Sequence, residues 1–284
     1  MAWVSSCASA ERQEKDMTLI ANARMYSVGE QAAADWKQLM AWVLKQAQLE
    51  WDVIDYPAPA PLSELWARSD LGLVMMCGLP FSMHDHRPEI IAAPVPVADR
   101  YGRRPVYFTD IVIRADSQWQ TLEDSFGGIL GFTLEDSMSG GVALRHHLAP
   151  LRAQRGSRLY RKAEGGLVNA RGVIDALIAG RIDVGPLDSY YHELLQSYEP
   201  DYASQVRTIA TTQAFPIPPL IATAELNPEQ LKRLQAALSS TASAPEVAGL
   251  MKRLLITGFT VPLASDYDSL ATLARQPLPH FEDI

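Results

Sequence analysis

A continuous apolar run at residues 70–77 (DLGLVMMC) most limits what this chain can fold into. A run of this length without polar alternation is typical of a strand that is buried on both faces of a parallel sheet. The run ends at Gly78-Leu79-Pro80, a strong break in regular structure. Because such a strand needs neighbouring strands and a layer of helices on each face, the chain is predicted to contain an α/β sheet.

The segments before this run supply neighbours for the buried strand. Residues 18–26 and 51–56 have the composition of short strands, and residues 30–50 carry apolar side chains at helical spacing. A short helix is predicted at residues 62–68. The resulting order of strand, helix, strand, helix and strand is the pattern of a parallel α/β unit.

A second α/β series follows further along the chain. The predicted strand at residues 106–114 is long enough to cross from one domain to another, and strands at 129–133 and 182–187 come after it. The proline-rich segment 216–220 (PIPPL) is the predicted return crossing, and a helix is predicted at residues 244–257. We therefore expect a two-lobed protein divided into a disordered leader (1–16), a first lobe (17–110 plus 215–284) and a second lobe (111–214).

The composition excludes several kinds of partner. The 284 residues include 25 Lys and Arg against 33 Asp and Glu, a net charge of −8. Nucleic acids and anionic membrane surfaces need a basic patch, so neither is an expected partner. The two cysteines, Cys7 and Cys77, are too few for a disulfide framework or a zinc site. No apolar stretch reaches the roughly 18–20 residues that cross a bilayer.

The first 16 residues do not have the pattern of a secretory signal. They lack a basic start and an apolar segment of about 7–15 residues. This leaves three alternatives: a signal that has been removed, a different true start, or a protein that is not exported.

Motifs of common enzyme classes are missing from the sequence. It contains no nucleophile elbow, no phosphate-binding loop, no dinucleotide-binding glycine pattern and no zinc-protease motif. His84-Asp85-His86 lies in a polar loop and is expected to be solvated. Cys77 is expected to be a small buried residue at a strand end, since a nucleophilic cysteine needs an adjacent base. We predict no cofactor, no metal and no catalysis.

Polar, aromatic and flexible groups follow the predicted strands. Ligands of open α/β sheets bind at the carboxyl ends of the strands, where such groups meet. Four strand ends carry them: Arg24-Met25-Tyr26, Cys77-Gly78-Leu79-Pro80-Phe81, Ser137-Met138-Ser139-Gly140 and Asp188-Ser189-Tyr190.

Residues 137–141, called the serine turn below, are the most informative of these strand ends. The turn lies between a predicted strand and a predicted helix, so two hydroxyl groups and the first N–H groups of the helix converge there. A helix N-terminus of this kind favours anions. Helix capping by Ser137 or Ser139 explains the same residues equally well.

Four segments resemble the phosphate, phosphite and phosphonate-binding proteins of ABC transporters. Residues 121–148 resemble the segment of that family that carries the oxyanion-binding serines, and residues 179–195 resemble a later strand with its turn. Residues 70–81 and 254–270 resemble a less studied branch of the family. The resemblance extends over residues 20–270.

The resemblance implies a type II periplasmic-binding-protein fold, in which each lobe is a mostly parallel sheet flanked by helices and two crossing segments join the lobes. In the family the serines bind the oxyanion, the first lobe closes the site, and Asp188 would reach an amine or hydroxyl of the ligand. The ligand-binding residues that it implies are Tyr26, Cys77, Gly78, Phe81, Ser137, Met138, Ser139, Gly140, Asn169, Asp188 and Tyr190.

The sequence departs from the family at two places. Asn169-Ala170 stands where many relatives have a Gly-Ser-His turn whose histidine helps to hold the phosphonate, and Asn169 or Arg171 is a candidate to compensate. Glu135 and Asp136 add negative charge beside the serine turn, which disfavours a dianion. The ligand therefore stays open between a phosphonate-like oxyanion, a carboxylate, an uncharged polar metabolite and a zwitterion.

The predicted function is capture of a small anionic ligand between two lobes and its delivery to an ABC permease. The resemblance implies a periplasmic or extracytoplasmic location, whereas the first residues leave a cytoplasmic one open. Two alternatives remain. The first is an enzyme on the same fold, which would need a reactive pair such as Cys77 with Asp188. The second is a ligand sensor that is not exported.

Overall fold

The computed structural model describes residues 18–284. The predicted leader at residues 1–16, together with Cys7, lies outside the described residues. Over residues 18–284, none of the helices is both long and apolar enough to cross a membrane.

The described strands and helices alternate along most of the chain. The strands are β1 (Ile20–Asn22), β2 (Asp52–Val53), β3 (Leu71–Met75), β4 (Glu89–Pro96), β5 (Val106–Tyr107), β6 (Thr109–Arg114), β7 (Ile129–Gly131), β8 (Lys162–Glu164), β9 (Gly185–Asp188), β10 (Val206–Thr211), β11 (Phe215–Pro216), β12 (Leu220–Ala222) and β13 (Ile256–Thr260). The helices are α1 (Glu30–Gln46), α2 (Leu62–Trp66), α3 (Gly78–Met83), α4 (Ala143–Arg155), α5 (Ala170–Ile178), α6 (Ser189–Tyr198), α7 (Pro200–Ala203), α8 (Pro228–Ser240), α9 (Ala248–Arg253) and α10 (Asp268–Ala274).

A six-stranded sheet has the order β13-β4-β12-β3-β1-β2. β1 pairs in parallel with both β2 and β3, and β12 inserts antiparallel between β3 and β4. All residues of β3 are buried, which confirms the buried strand predicted from the apolar run. Because β1 and β3 are parallel neighbours, their carboxyl ends lie side by side at one edge of the sheet.

A second group of strands is built around β6. β6 pairs antiparallel with β9 and β10. β7 pairs in parallel with β8, and a parallel bridge from Leu130 to Val184 connects β7 to the segment that leads into β9. β7, β8, β9 and β10 thus run in one direction and β6 runs against them, so the carboxyl ends of β7 and β9 also lie close together.

Two segments cross between the sheets, and they contact each other. The chain leaves the first sheet through β5 and enters the second at β6, and it returns through β11 to β12. β5 and β11 are paired antiparallel, with Phe215 opposite Tyr107. The crossing predicted at residues 106–114 is therefore two strands that are interrupted at Phe108.

The apolar side chains form two cores. The larger core includes residues of both sheets, and α6 contributes Tyr190, Leu194 and Leu195 to it. The smaller core lies between β6, β7 and α4 and includes Phe281, whose ring stacks on Phe132 with 3.8 Å between centroids. The predicted lobe boundaries at residues 110/111 and 214/215 stay a prediction.

Two predicted elements end differently in the structure. Residues 24–26 form a 3-10 turn rather than the end of a strand, because the side-chain oxygen of Asn22 accepts a hydrogen bond from the Arg24 N–H at 2.8 Å. Residues 256 and 257 belong to β13 rather than to a helix. The preceding residue, Leu255, has a φ of 54°, which ends the helical path before the chain pairs with β4.

Candidate ligand-binding site

The strand ends of the two sheets lie against one another, and the boundary between them is called the cleft below. From the first sheet come the 3-10 turn after β1, with Tyr26, and the turn from β3 into α3, with Cys77. From the second group come the serine turn after β7 and Asp188 at the end of β9. A hydrogen bond of 3.0 Å from the Tyr26 hydroxyl to Asp188 Oδ2 joins the two sides.

The serine turn is one turn of π-helix that leads into α4. Ser137 caps it: its carbonyl oxygen accepts from the N–H groups of Gly141 at 3.0 Å and Val142 at 2.9 Å, and its hydroxyl accepts from Gly140 at 3.3 Å. The Ser139 carbonyl oxygen accepts from the Thr109 hydroxyl at 3.1 Å. Among the described residues no hydrogen bond uses the Ser139 N–H, so this donor and the Ser139 hydroxyl are available to a ligand.

The two glycines of the serine turn are required by close packing. A Cβ on Gly140 would lie 1.8 Å from Thr133 Oγ1, and one on Gly141 would lie 2.3 Å from the Leu134 carbonyl oxygen. The loop after β7 therefore packs directly on the backbone of the turn. This packing fixes the position of the N–H groups and explains why the sequence has two glycines after Ser139.

Cys77 lies opposite the serine turn, at the N-terminus of α3. Burial raises the pKa of its thiol to about 11, an effect that hydrogen bonds from the backbone N–H groups of Leu79 and Met138 oppose and that the charges of Asp188 and Asp136 reinforce. The thiol is therefore protonated at neutral pH, whereas a nucleophile needs the thiolate. Its contact with Met138 brings the N-terminus of α3 next to that of the serine turn.

Asp188 has two roles in the structure. Its Oδ1 caps α6 by accepting hydrogen bonds from the N–H groups of Tyr190 at 2.9 Å and Tyr191 at 3.0 Å. Burial raises the pKa of Asp188 to about 7, although these bonds and the bond from Tyr26 favour the charged form. Near neutral pH Asp188 therefore exists in both forms, and it can donate a hydrogen bond to an anion or accept one from an amine or hydroxyl.

Three tyrosines lie near Asp188: Tyr26, Tyr190 and Tyr107. The rings of Tyr26 and Tyr190 meet edge to face, with 4.7 Å between centroids. The Tyr190 hydroxyl donates to the Leu254 carbonyl oxygen at 2.6 Å, so its role is packing between α6 and the first sheet. Tyr107, which the sequence did not indicate, is 2% exposed and lies near Cys77 and Asp188, and burial raises its pKa well above the ordinary value.

Three other predicted site residues have their contacts elsewhere in the structure. Phe81 is fully buried against Tyr267, with 5.1 Å between ring centroids, and Gly78 lies against α10, where its absent side chain admits Leu270. Asn169 is exposed and caps α5, accepting from the Gly172 N–H at 3.0 Å. The structure brings Tyr26, Cys77, Met138 and Asp188 together, with Ser137, Ser139 and Gly140 on the same turn as Met138.

Arg171 joins the two sides of the cleft beside Tyr191. Its guanidinium donates to the Val28 carbonyl oxygen at the start of α1, with 3.1 Å from Nε, and forms an ion pair with Glu199. The absence of a side chain at Gly29 makes room for this carboxylate. Arg171 therefore connects the second group of strands to the first sheet. None of its hydrogen bonds to described residues reaches the serine turn.

Between residues 18 and 284, no group of three or more histidine, cysteine and acidic side chains is arranged to hold a metal ion. His84 and His86, which the sequence placed in a polar loop, are exposed.

Comparison with known proteins agrees with this architecture. No curated protein sequence matches the chain. The binding-protein component of an ABC phosphonate transporter from Pseudomonas aeruginosa is 16% identical, with a TM-score of 0.73 over 90% of this chain and 85% of that one. PhnD1 from Prochlorococcus marinus, solved in complex with methylphosphonate, is 16% identical, with a TM-score of 0.69 over 91% and 97% of the two chains.

A third solved structure, a Xanthomonas citri protein bound to chloride, is 17% identical, with a TM-score of 0.61 over 91% of this chain and 97% of that one. At these identities the structures establish a shared two-lobed type II periplasmic-binding-protein fold, which confirms the predicted fold class. A family model, described as the periplasmic substrate-binding protein of phosphonate ABC transporters, matches residues 26–267. The chain therefore belongs to the family of periplasmic substrate-binding proteins of phosphonate ABC transporters.

Proposed function

We propose that this protein binds a small phosphonate-like oxyanion in the cleft, with the serine turn as the oxyanion site, and delivers it to an ABC permease outside the cytoplasm. The observation that carries the proposal is the unused N–H of Ser139 at a helix N-terminus, beside its hydroxyl group. An N–H and a hydroxyl at the positive end of a helix are the donors that an oxyanion needs.

The two sides of the cleft contribute different groups to this site. The serine turn belongs to the proposed second lobe, residues 111–214, and Cys77 and Tyr26 belong to the proposed first lobe, residues 17–110 with 215–284. The contact of Cys77 with the Met138 N–H and the bond from Tyr26 to Asp188 support a ligand position between the lobes. A ligand held by both sides would couple its binding to closure of the lobes.

Asp188 supports an oxyanion in spite of its acidic side chain. With a pKa of about 7, the carboxyl group is half protonated at neutral pH and can donate to an oxyanion. The same carboxylate, once ionised, can accept from an amine. Both forms suit a phosphonate, with or without an amino group on its carbon chain.

Isothermal titration of the purified protein with methylphosphonate, 2-aminoethylphosphonate, phosphite, phosphate and acetate tests the proposal. Ser139→Ala removes one hydroxyl donor and leaves the backbone N–H. Since a hydrogen bond to a charged group is worth about 1.5–3 kcal/mol, we expect roughly 10- to 100-fold weaker binding of the preferred oxyanion. Ser157→Ala, an exposed serine in the same lobe, is the matched control and should bind like the parent protein.

A thermal melt gives an independent readout. Ligand at 100 times its Kd should add about 2.7 kcal/mol to the free energy of unfolding. The proposal fails if no oxyanion binds, or if Ser139→Ala and Ser157→Ala bind every ligand equally.

A further inference from the structure

Arg24 is a half-buried cation in the 3-10 turn after β1, the same turn that carries Tyr26. Over residues 18–284, its guanidinium has neither a salt bridge nor a hydrogen bond. Other half-buried arginines of the described chain do have hydrogen-bond partners: Arg145 donates to the Glu135 carbonyl oxygen at 3.2 Å, and Arg207 to the Ser117 carbonyl oxygen at 3.1 Å.

The surroundings of Arg24 are aromatic rather than acidic. Its neighbours are Tyr56, next to the first sheet, and Tyr191, in the first turn of α6. Burial lowers the pKa of Arg24, whereas the tyrosines oppose this shift. An arginine stays charged even so, and a charge that is partly removed from water without a counter-ion is costly. An anion at this position would offset that cost.

Tyr191 connects Arg24 to the proposed ligand site. The Tyr191 N–H donates to Asp188 Oδ1 at 3.0 Å, while its side chain lies beside Arg24. Tyr26, two residues after Arg24, donates to the other oxygen of the same carboxyl group at 3.0 Å. Arg24 and Asp188 therefore share two neighbours, Tyr26 and Tyr191, and a ligand that reaches from the serine turn past Asp188 would approach the turn that carries Arg24.

The other arginine at this end of the cleft is already engaged. Arg171 also neighbours Tyr191, but its guanidinium is bound by Glu199 and by the Val28 carbonyl oxygen. Of these two arginines, Arg24 is thus the one that has no carboxylate partner among the described residues.

We infer that Arg24 forms a second anion subsite, and that the preferred ligand is a phosphonate that carries a carboxylate at the far end of a short carbon chain. The planar guanidinium presents two parallel N–H groups that match a carboxylate. The inference rests on the proposed function, since it adds a second contact to a ligand whose oxyanion is held by the serine turn.

Calorimetric titration with methylphosphonate, phosphonoacetate and 3-phosphonopropionate tests this subsite. The parent protein should bind one of the two phosphonocarboxylates at least about 10-fold more tightly than methylphosphonate, as an added charge-assisted hydrogen bond allows. Arg24→Gln should abolish this preference and leave the Kd for methylphosphonate within about twofold. Arg158→Gln, an exposed arginine, is the control and should keep the preference.

Two further measurements separate a binding role from a structural one. Arg24→Lys keeps the charge but not the paired N–H groups, so it should retain part of the preference. Because Arg24 holds no partner among the described residues, Arg24→Gln without ligand should melt at the same temperature as the parent protein or above it.

The outcomes distinguish the two proposals. If methylphosphonate binds but the phosphonocarboxylates gain nothing, or if Arg24→Gln weakens all three ligands equally, the Arg24 inference is wrong and the proposed function stands. If no phosphonate binds the parent protein, the proposed function fails and the inference fails with it.

Discussion

Replacement of Asp188 by asparagine should remove a pH dependence of stability that the fold builds into the site. Asparagine has the shape of a protonated aspartate. Its side-chain oxygen can still accept from the N–H groups of Tyr190 and Tyr191, which Asp188 Oδ1 now accepts. Its amide nitrogen would face the Tyr26 hydroxyl, which is now 3.0 Å from Asp188 Oδ2. The substitution should therefore keep the cap of α6 and remove the group that titrates.

The magnitude follows from the shift in pKa. Burial raises the pKa of Asp188 from its ordinary value of 3.8 to about 7. Between these values the folded protein holds a proton that the unfolded chain has released. The free energy of unfolding therefore falls as the pH rises through this window, and above about pH 7 it falls no further. At about 1.4 kcal/mol for each pKa unit, the total loss is at most about 4 kcal/mol.

Urea unfolding at pH values from 4.5 to 8.5 measures this effect. The stability of Asp188→Asn relative to the parent protein should rise steadily with pH and level off above about pH 7. Asp85→Asn, in an exposed loop, is the control for the loss of one negative charge. The reasoning is refuted if the parent protein and Asp188→Asn give parallel profiles between pH 5 and pH 8, because Asp188 would then titrate at an ordinary pKa.

Three further substitutions test the packing that positions the site. Gly140→Ala should cost about 1–3 kcal/mol in urea unfolding, because the new Cβ would lie 1.8 Å from Thr133 Oγ1, and Thr133→Ala should restore part of that loss. Asp35→Asn should cost about 2 kcal/mol, since it breaks the paired hydrogen bonds of 2.7 and 2.8 Å from Arg253 to a fully buried carboxylate. Leu144→Ala should cost about 2–5 kcal/mol by leaving a cavity in the smaller core, which calorimetry can measure as a lower Tm.

Features that depend on neighbours in the chain could be predicted from the sequence. The apolar run of β3 indicates a strand because burial on both faces requires an unbroken series of apolar side chains. Asn169 caps α5, and Gly180, just after the helix, has a φ of 68°, a conformation that glycine adopts without strain. The serine turn could also be located, since a helix start after a strand has a local pattern of serine and glycine.

Contacts between distant parts of the chain could not be predicted in the same way. Tyr26 and Asp188 are 162 residues apart, and their hydrogen bond depends on how the two sheets face each other. The insertion of β12 between β3 and β4 depends on pairing that no local pattern encodes. Phe81 resembled a site residue because of its position in the turn, but the packing of α3 on α10 directs its ring into the core.

Helix α6 explains why these distant contacts belong together. Its first residue, Ser189, accepts a hydrogen bond from the Phe108 N–H at 2.9 Å in the crossing between β5 and β6. Near its other end, the Tyr198 hydroxyl donates to Asp35 of α1 at 2.7 Å. The residue that caps the same helix is Asp188, a residue of the proposed site.

Helix α6 thus contacts the proposed ligand site, a crossing segment and helix α1, which packs on the first sheet. A change in the charge of Asp188 acts directly on the N-terminus of α6, whose far end is bonded to α1. The serine turn also contacts the first sheet, through the Met138 N–H and Cys77. The Ser139 side chain, by contrast, has no hydrogen-bond partner among the described residues. Substitution of Ser139 should therefore alter affinity alone, whereas substitutions in α6 should alter affinity and the relative position of the two sheets together.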